Sequence, residues 1–144
     1  AEPWTTRALQ DDRLALFLDN MDFLPPSQVQ ILAFGPSMKA KSDVANRFMV
    51  GAIQAMQAFN EGPTERNVEI VSEAFEYEPE LLEAMCWQYM AEDGSVELTS
   101  SQNFIEWAYE QGTVDEPIDI EDYYDTSYID YAAEVLGLNT EDDE

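Results

Sequence analysis

The spacing of apolar positions changes period along the chain. Trp4, Ala8 and Leu9 fall at helical intervals behind Pro3, a residue suited to a first helical position, and predict a short helix within residues 2–12. Two compact apolar runs follow, Arg13 to Leu18 and Gln28 to Phe34. They are bounded by Asp19-Asn20, Pro25-Pro26 and Gly35-Pro36, and both read as strands. The second alternates at its start and turns continuously apolar, as in a strand passing from a sheet margin into a covered sheet. From Ser42 the period becomes 3.6. Val44, Phe48, Met49, Ala52, Ile53, Met56 and Phe59 trace one helical face until Gly62-Pro63 stops it, with Ser42 as the expected cap.

The rest of the chain continues in helices. Thr64 is placed to cap one that turns Val68, Val71, Ala74 and Phe75 inward. Glu78-Pro79 opens another, with Leu81, Leu82, Met85 and Cys86 on its inner side. Residues 89–98 read as a turn at Asp93-Gly94 and an extended stretch. Thr99 or Ser100 then caps a helix bearing Phe104, Ile105 and Ala108, which Gly112 ends. Thr126 caps a last helix that carries Ile129, Ala132, Ala133 and Leu136 and stops at Gly137, leaving 139–144 as an acidic tail. Two strands are too few to form a sheet for so many helices, so the pattern predicts the later part of a larger α/β protein. The start at Ala1-Glu2-Pro3-Trp4, with neither initiator Met nor signal-peptide pattern, fits that expectation.

Charge narrows the picture. The 144 residues carry 31 acids, six basic residues and no His, a formal charge of −25. Residues 1–66 hold all six cations and eight acids, net −2; residues 67–144 hold no cation and a charge of −23. At 45% hydrophobic and 12% aromatic residues the chain should nevertheless fold. Self-repulsion of this size is relieved by salt, so we read a solvated acidic surface adapted to brine. Phosphate backbones and anionic lipids are repelled, and no nucleic-acid groove or transmembrane segment is expected. An EF-hand is excluded because no Asp-x-Asp-x-Asp-Gly loop occurs.

Without His there is no imidazole base or Ser-His pair, and one Cys closes no internal disulfide. Cys86, between Met85 and Trp87, is expected to be an inert buried thiol. Adjacent acids such as Asp11-Asp12, Glu92-Asp93, Asp115-Glu116 and Glu121-Asp122 do not converge on one point, so neither catalysis nor a metal site is expected from them. Trp87, Trp107 and tyrosines such as Tyr89, Tyr123 and Tyr131 read as helix-packing residues.

Several strings resemble the C-terminal half of ABC-transporter substrate-binding proteins of the nitrate, sulfonate/taurine and thiamine-precursor group. They are Glu2-Pro3-Trp4 with Arg7-Ala8-Leu9, Tyr77-Glu78-Pro79-Glu80-Leu81, Asp93-Gly94-Ser95-Val96, Glu110-Gln111-Gly112, and Pro117-Ile118-Asp119-Ile120 before Asp125-Thr126-Ser127-Tyr128. The resemblance implies an α/β chain, the C-terminal part of a two-lobed periplasmic-binding-protein (type II) fold that is mainly helical in this segment. Residues 1–35 would end the ligand-cleft lobe and its returning strand, 36–138 would form the helical part, and 139–144 a tail. It further implies an extracytoplasmic protein with no cofactor and no enzymatic activity, capturing a small solute and passing it to ABC permease subunits. The pyrimidine synthases sharing this fold depend on a His and a Cys-rich motif that this chain lacks.

The resemblance places Glu2, Pro3, Trp4 and Arg7 at the ligand cleft. Trp4 reads either as a stacking surface or as a core anchor, and Glu2 as a hydrogen-bond acceptor for a ligand amine or as a helix-start acid. Arg7 is either an anion ligand or a surface cation balancing acids such as Asp11. A competing class is a stand-alone acidic interaction module imitating nucleic acid, which would need carboxylates at phosphate-like spacing on one face.

Overall fold

The computed structural model describes residues 2–18, 27 and 30–138. It is predominantly helical: α1 (Trp4–Leu9), α2 (Pro36–Lys39), α3 (Ser42–Asn60), α4 (Glu65–Phe75), α5 (Pro79–Ala84), α6 (Leu98–Glu110) and α7 (Ser127–Leu136), with a 3-10 turn at Ile120–Tyr123. The 139–144 tail, and the expected boundaries at Asp19-Asn20, Pro25-Pro26 and Gln28-Val29, lie outside the described residues.

The core forms where the longest periodic stretch meets the last one. α3 lies along α7, and Met49, Ile53 and Ala132 are buried between them, walled by Val50, Ala52, Ile129 and Leu136. Full burial of a side chain the size of Ile53 contributes about 1.5–3 kcal/mol, so this seam is the principal stabilising contact. Phe34 closes one end, edge-on to Phe48 (centroids 5.7 Å apart) and to Tyr128 (5.0 Å).

Two side chains tie the other helices to α3. Asn67, buried in the first turn of α4, donates through Nδ2 to the Ala58 carbonyl (2.6 Å) and the Gly62 carbonyl (2.9 Å). Thr64 caps α4 as expected, its hydroxyl accepting from the Asn67 amide. Asn60 pairs twice with Met90, Nδ2 donating to the carbonyl (2.7 Å) and Oδ1 accepting from the amide (2.9 Å). The 85–97 segment is therefore held against α3 by side chains, with Trp87 tilted over Phe59 and donating to the Leu82 carbonyl. At its turn Gly94 has φ +77°, and a Cβ there would lie 3.2 Å from Ile53 Cδ1.

Several expectations are corrected. Neither apolar run forms a strand among the described residues: 13–18 and 30–34 have no regular structure, so the α/β expectation holds only in its helical part. A strand is stable only against a partner edge, and the described residues supply none. Phe17 is consequently 94% exposed, with Leu14, Leu16, Leu18, Ile31 and Leu32 also exposed. The short α2, capped by Gly35 with Pro36 at its start, was not foreseen.

Helix ends also differ from the pattern. Ser42 is the first helical residue of α3, behind Lys41. α6 begins earlier than expected because the Glu97 carboxylate accepts from the amides of Thr99 and Ser100 (3.2 and 2.6 Å); hydrogen bonding from Ser100, its amide first, holds that carboxyl below its ordinary range. α7 does start behind Thr126 as expected, but the side chain that accepts from the Ser127 amide and hydroxyl is that of Asp125, and the Ser127 side chain foremost lowers its pKa. α5 ends at Ala84, where Met85 turns extended, so Cys86 is exposed rather than buried. Ala74 and Phe75 of α4, and Phe104 of α6, likewise face water. Trp107, Tyr89, Tyr123 and Tyr131 are exposed too, whereas Trp87 packs.

Candidate functional site

The residues predicted to bind ligand lie on α1 (Trp4, Arg7) or immediately before it (Glu2, Pro3), and the fold brings part of α4 and α5 up to them. Glu2 turns back onto its own helix: Oε2 accepts from the Thr6 amide (3.2 Å) and hydroxyl (2.7 Å), which engages it as a helix-start acceptor. Pro3 is buried. Trp4 and Arg7, three positions apart, share the next face, with the guanidinium carbon 5.3 Å from the centre of the Trp4 ring.

The second half of the site comes from the turn joining α4 to α5. Glu76 takes a left-handed conformation (φ 57°) and ends α4, while the Ser72 hydroxyl donates to the Tyr77 carbonyl (2.7 Å) and sets the direction of the turn. This puts Tyr77 against Arg7 as well, its ring centre 5.4 Å from the guanidinium carbon, and stacks Phe75 on Tyr77 at 5.9 Å and 17°. Glu78, which precedes Pro79 at the start of α5, lies 3.6 Å from Arg7 Nη2. The packing of α1 against α5 carries the two halves together.

The result is a ladder of planar groups in the order Trp4, Arg7, Tyr77, Phe75. Trp4 and Phe75 are 64% and 63% exposed at its two ends. Trp4 is therefore a surface aromatic and not a core anchor. Arg7 pairs with Glu78 and not with Asp11, which is taken by Arg13 at 2.6 Å. Each cation–π contact contributes about 0.5–1 kcal/mol at an exposed site, enough to orient Arg7 and Trp4 but not to build a fold. Chemically the ladder offers stacking faces, one guanidinium and one exposed carboxylate. Phe75, Tyr77 and Glu78 were not singled out as site residues in the sequence; the available sign was two aromatics bracketing an acid between two helix signals.

An open hollow of about 490 Å³ lies between α6 and the 3-10 turn and is lined by Gln102, Glu106, Pro117, Ile118, Asp119 and Glu121. Gln102 is already engaged there. Its Nε2 donates to the Ile118 carbonyl and Glu106 Oε1, and its Oε1 accepts from the Ile120 amide. Among the described residues no group of three acids or Cys is placed to hold a metal ion, and no helix is long and apolar enough to cross a membrane. Compared with models of known families, with characterised proteins and with solved structures, the chain matches none.

Proposed function

We propose that this chain belongs to the solute-binding component of an ABC importer, working outside the cytoplasm in high salt. It captures a small nitrogen- or sulfur-containing nutrient, a sulfonate, nitrate or a pyrimidine-type thiamine precursor, and delivers it to a membrane permease. The observation that carries this reading is the ladder at Trp4. Two of the four residues assigned to a ligand cleft, Trp4 and Arg7, are joined by Tyr77 and Glu78 into one exposed surface of stacking faces and paired charges. In this reading the apolar segments 13–18 and 30–34, which have no regular structure here, are strands of a two-lobed α/β fold, completed by strands elsewhere in the protein, and Phe17 is covered there. Contacts of the solute with both lobes favour the closed form, which the permease recognises.

The test is a titration of the full protein in molar KCl with taurine, nitrate and an aminomethylpyrimidine, following tryptophan fluorescence and melting temperature. One of the three should saturate and raise the melting temperature, since ligand at a hundred times its Kd adds about 2.7 kcal/mol. Trp4→Ala should weaken that response at least about tenfold, the equivalent of 1.4 kcal/mol. Silence with all three, or a response indifferent to Trp4→Ala, overturns the reading.

A further inference from the structure

α6 is anchored along one side. Ala108 is buried, Ile105 is half-buried, and Gln102 is tied to the 118–120 segment; the 3-10 turn is the element packed against this helix. Its other face presents Phe104 and Trp107, one turn apart, 65% and 51% exposed, with ring centroids 5.6 Å apart and planes inclined at 31°. Two large rings touching each other in water form an apolar strip that gains by being covered.

Charge decides what covers it. No Lys or Arg occurs from Asn67 to the end of the chain, and Glu110 lies one turn beyond Trp107 on the same helix, exposed. A second copy would bring another −25 against this one, and anionic lipid or nucleic acid would be repelled in the same way. The complementary occupant is a protein segment that carries Lys or Arg beside an apolar anchor, so that cations meet the Glu110 carboxylate and the Trp107 face while the anchor covers Phe104. We propose that the Phe104–Trp107 strip of α6 is a docking surface for a basic, amphipathic segment of another protein. It is separate from the Trp4 ladder on α1 and stands or falls independently of solute binding.

The test uses the full protein and a fluorescently labelled amphipathic Lys/Leu helical peptide, with a scrambled peptide of the same composition and polylysine as controls, at about 0.5 M and about 2 M KCl. Anisotropy should register binding of the amphipathic peptide at both salt concentrations and loss of polylysine at the higher one. Phe104→Ser and Trp107→Ser, which leave the charge unchanged, should each weaken the peptide at least about tenfold. Circular dichroism of both variants should match the parent, because the two side chains are exposed. Hydrogen exchange should report peptide-induced protection on α6. Equal affinity of the variants and the parent, binding of the scrambled peptide as tight as the amphipathic one, or protection spread over the acidic surface without focus on α6 overturns the proposal.

Discussion

Asn67→Ala tests the link that attaches α4 to the end of α3. The Asn67 amide nitrogen donates to two carbonyls, at 2.6 Å on Ala58 and 2.9 Å on Gly62, from a buried position. Neither carbonyl is orphaned by the substitution: Ala58 still accepts from the Glu61 amide at 3.2 Å and Gly62 from the Thr64 amide at 2.8 Å. The loss is therefore two net hydrogen bonds at about 1 kcal/mol each, roughly 2 kcal/mol in total. For a chain of this size a kilocalorie lowers the melting temperature by about 3–4 °C, so a fall of about 6–8 °C is expected in a thermal melt followed by circular dichroism in molar KCl.

Asn67→Asp sharpens the test. It replaces the donor with a carboxylate oxygen facing two carbonyls, so at neutral pH it should destabilise more than Asn67→Ala. Protonated, an Asp carboxyl regains one donor; the folded state thus raises its pKa, and the variant should recover stability as the pH falls through that raised value. A melting temperature for Asn67→Ala within about 1 °C of the parent, or an Asp variant no worse than the Ala variant at neutral pH, would refute the reasoning.

Two other substitutions and one change of solvent test the rest of the fold. Gly94→Ala adds a Cβ at φ +77° and 3.2 Å from Ile53 Cδ1, and should cost about 1–3 kcal/mol. Ile53→Ala removes both atoms that the new Cβ meets, Cδ1 at 3.2 Å and Cγ1 at 3.3 Å, so a double-mutant cycle by thermal melting should find the pair less costly than the sum; strict additivity would remove the steric explanation. Salt should raise the melting temperature, because the charges of residues 67–144 are screened over about 3 Å at 1 M against about 10 Å at 0.1 M. Equal helicity and melting temperature in dilute buffer and in molar KCl would contradict adaptation to brine.

Much of the helical architecture was legible because helix signals are local. Gly62-Pro63 after α3, Thr64 before α4, Pro79 opening α5 and Gly137 after α7 each act on backbone groups within a turn of themselves, and each element ends or begins at them. The inward faces of α3 and α7 were readable for a related reason: Met49, Ile53 and Ala132 lie on long, regular stripes. Short stripes misled. Phe104 follows the same spacing rule as Ala108 yet faces water, because packing against the 3-10 turn selects a neighbouring stripe of α6, centred on Ile105 and Ala108. The α7 start behind Thr126 was read correctly, whereas the cap of α6 was misread by two or three residues, since the Glu97 carboxylate takes the amides of Thr99 and Ser100.

What the sequence alone determined is the helical content, the absence of imidazole chemistry and the division of charge between the two halves, all properties of composition or of neighbours within a few residues. The tertiary structure decided the meeting of Trp4 and Arg7 with Tyr77 and Glu78, the clamp of Asn60 on Met90, and the lack of a partner for the 13–18 run among the described residues. Each of these depends on contacts between segments distant in the chain. A strand in particular has no internal hydrogen bonds, so an apolar alternating run does not become one until a second edge lies beside it, whereas a helix of adequate length satisfies most of its own backbone.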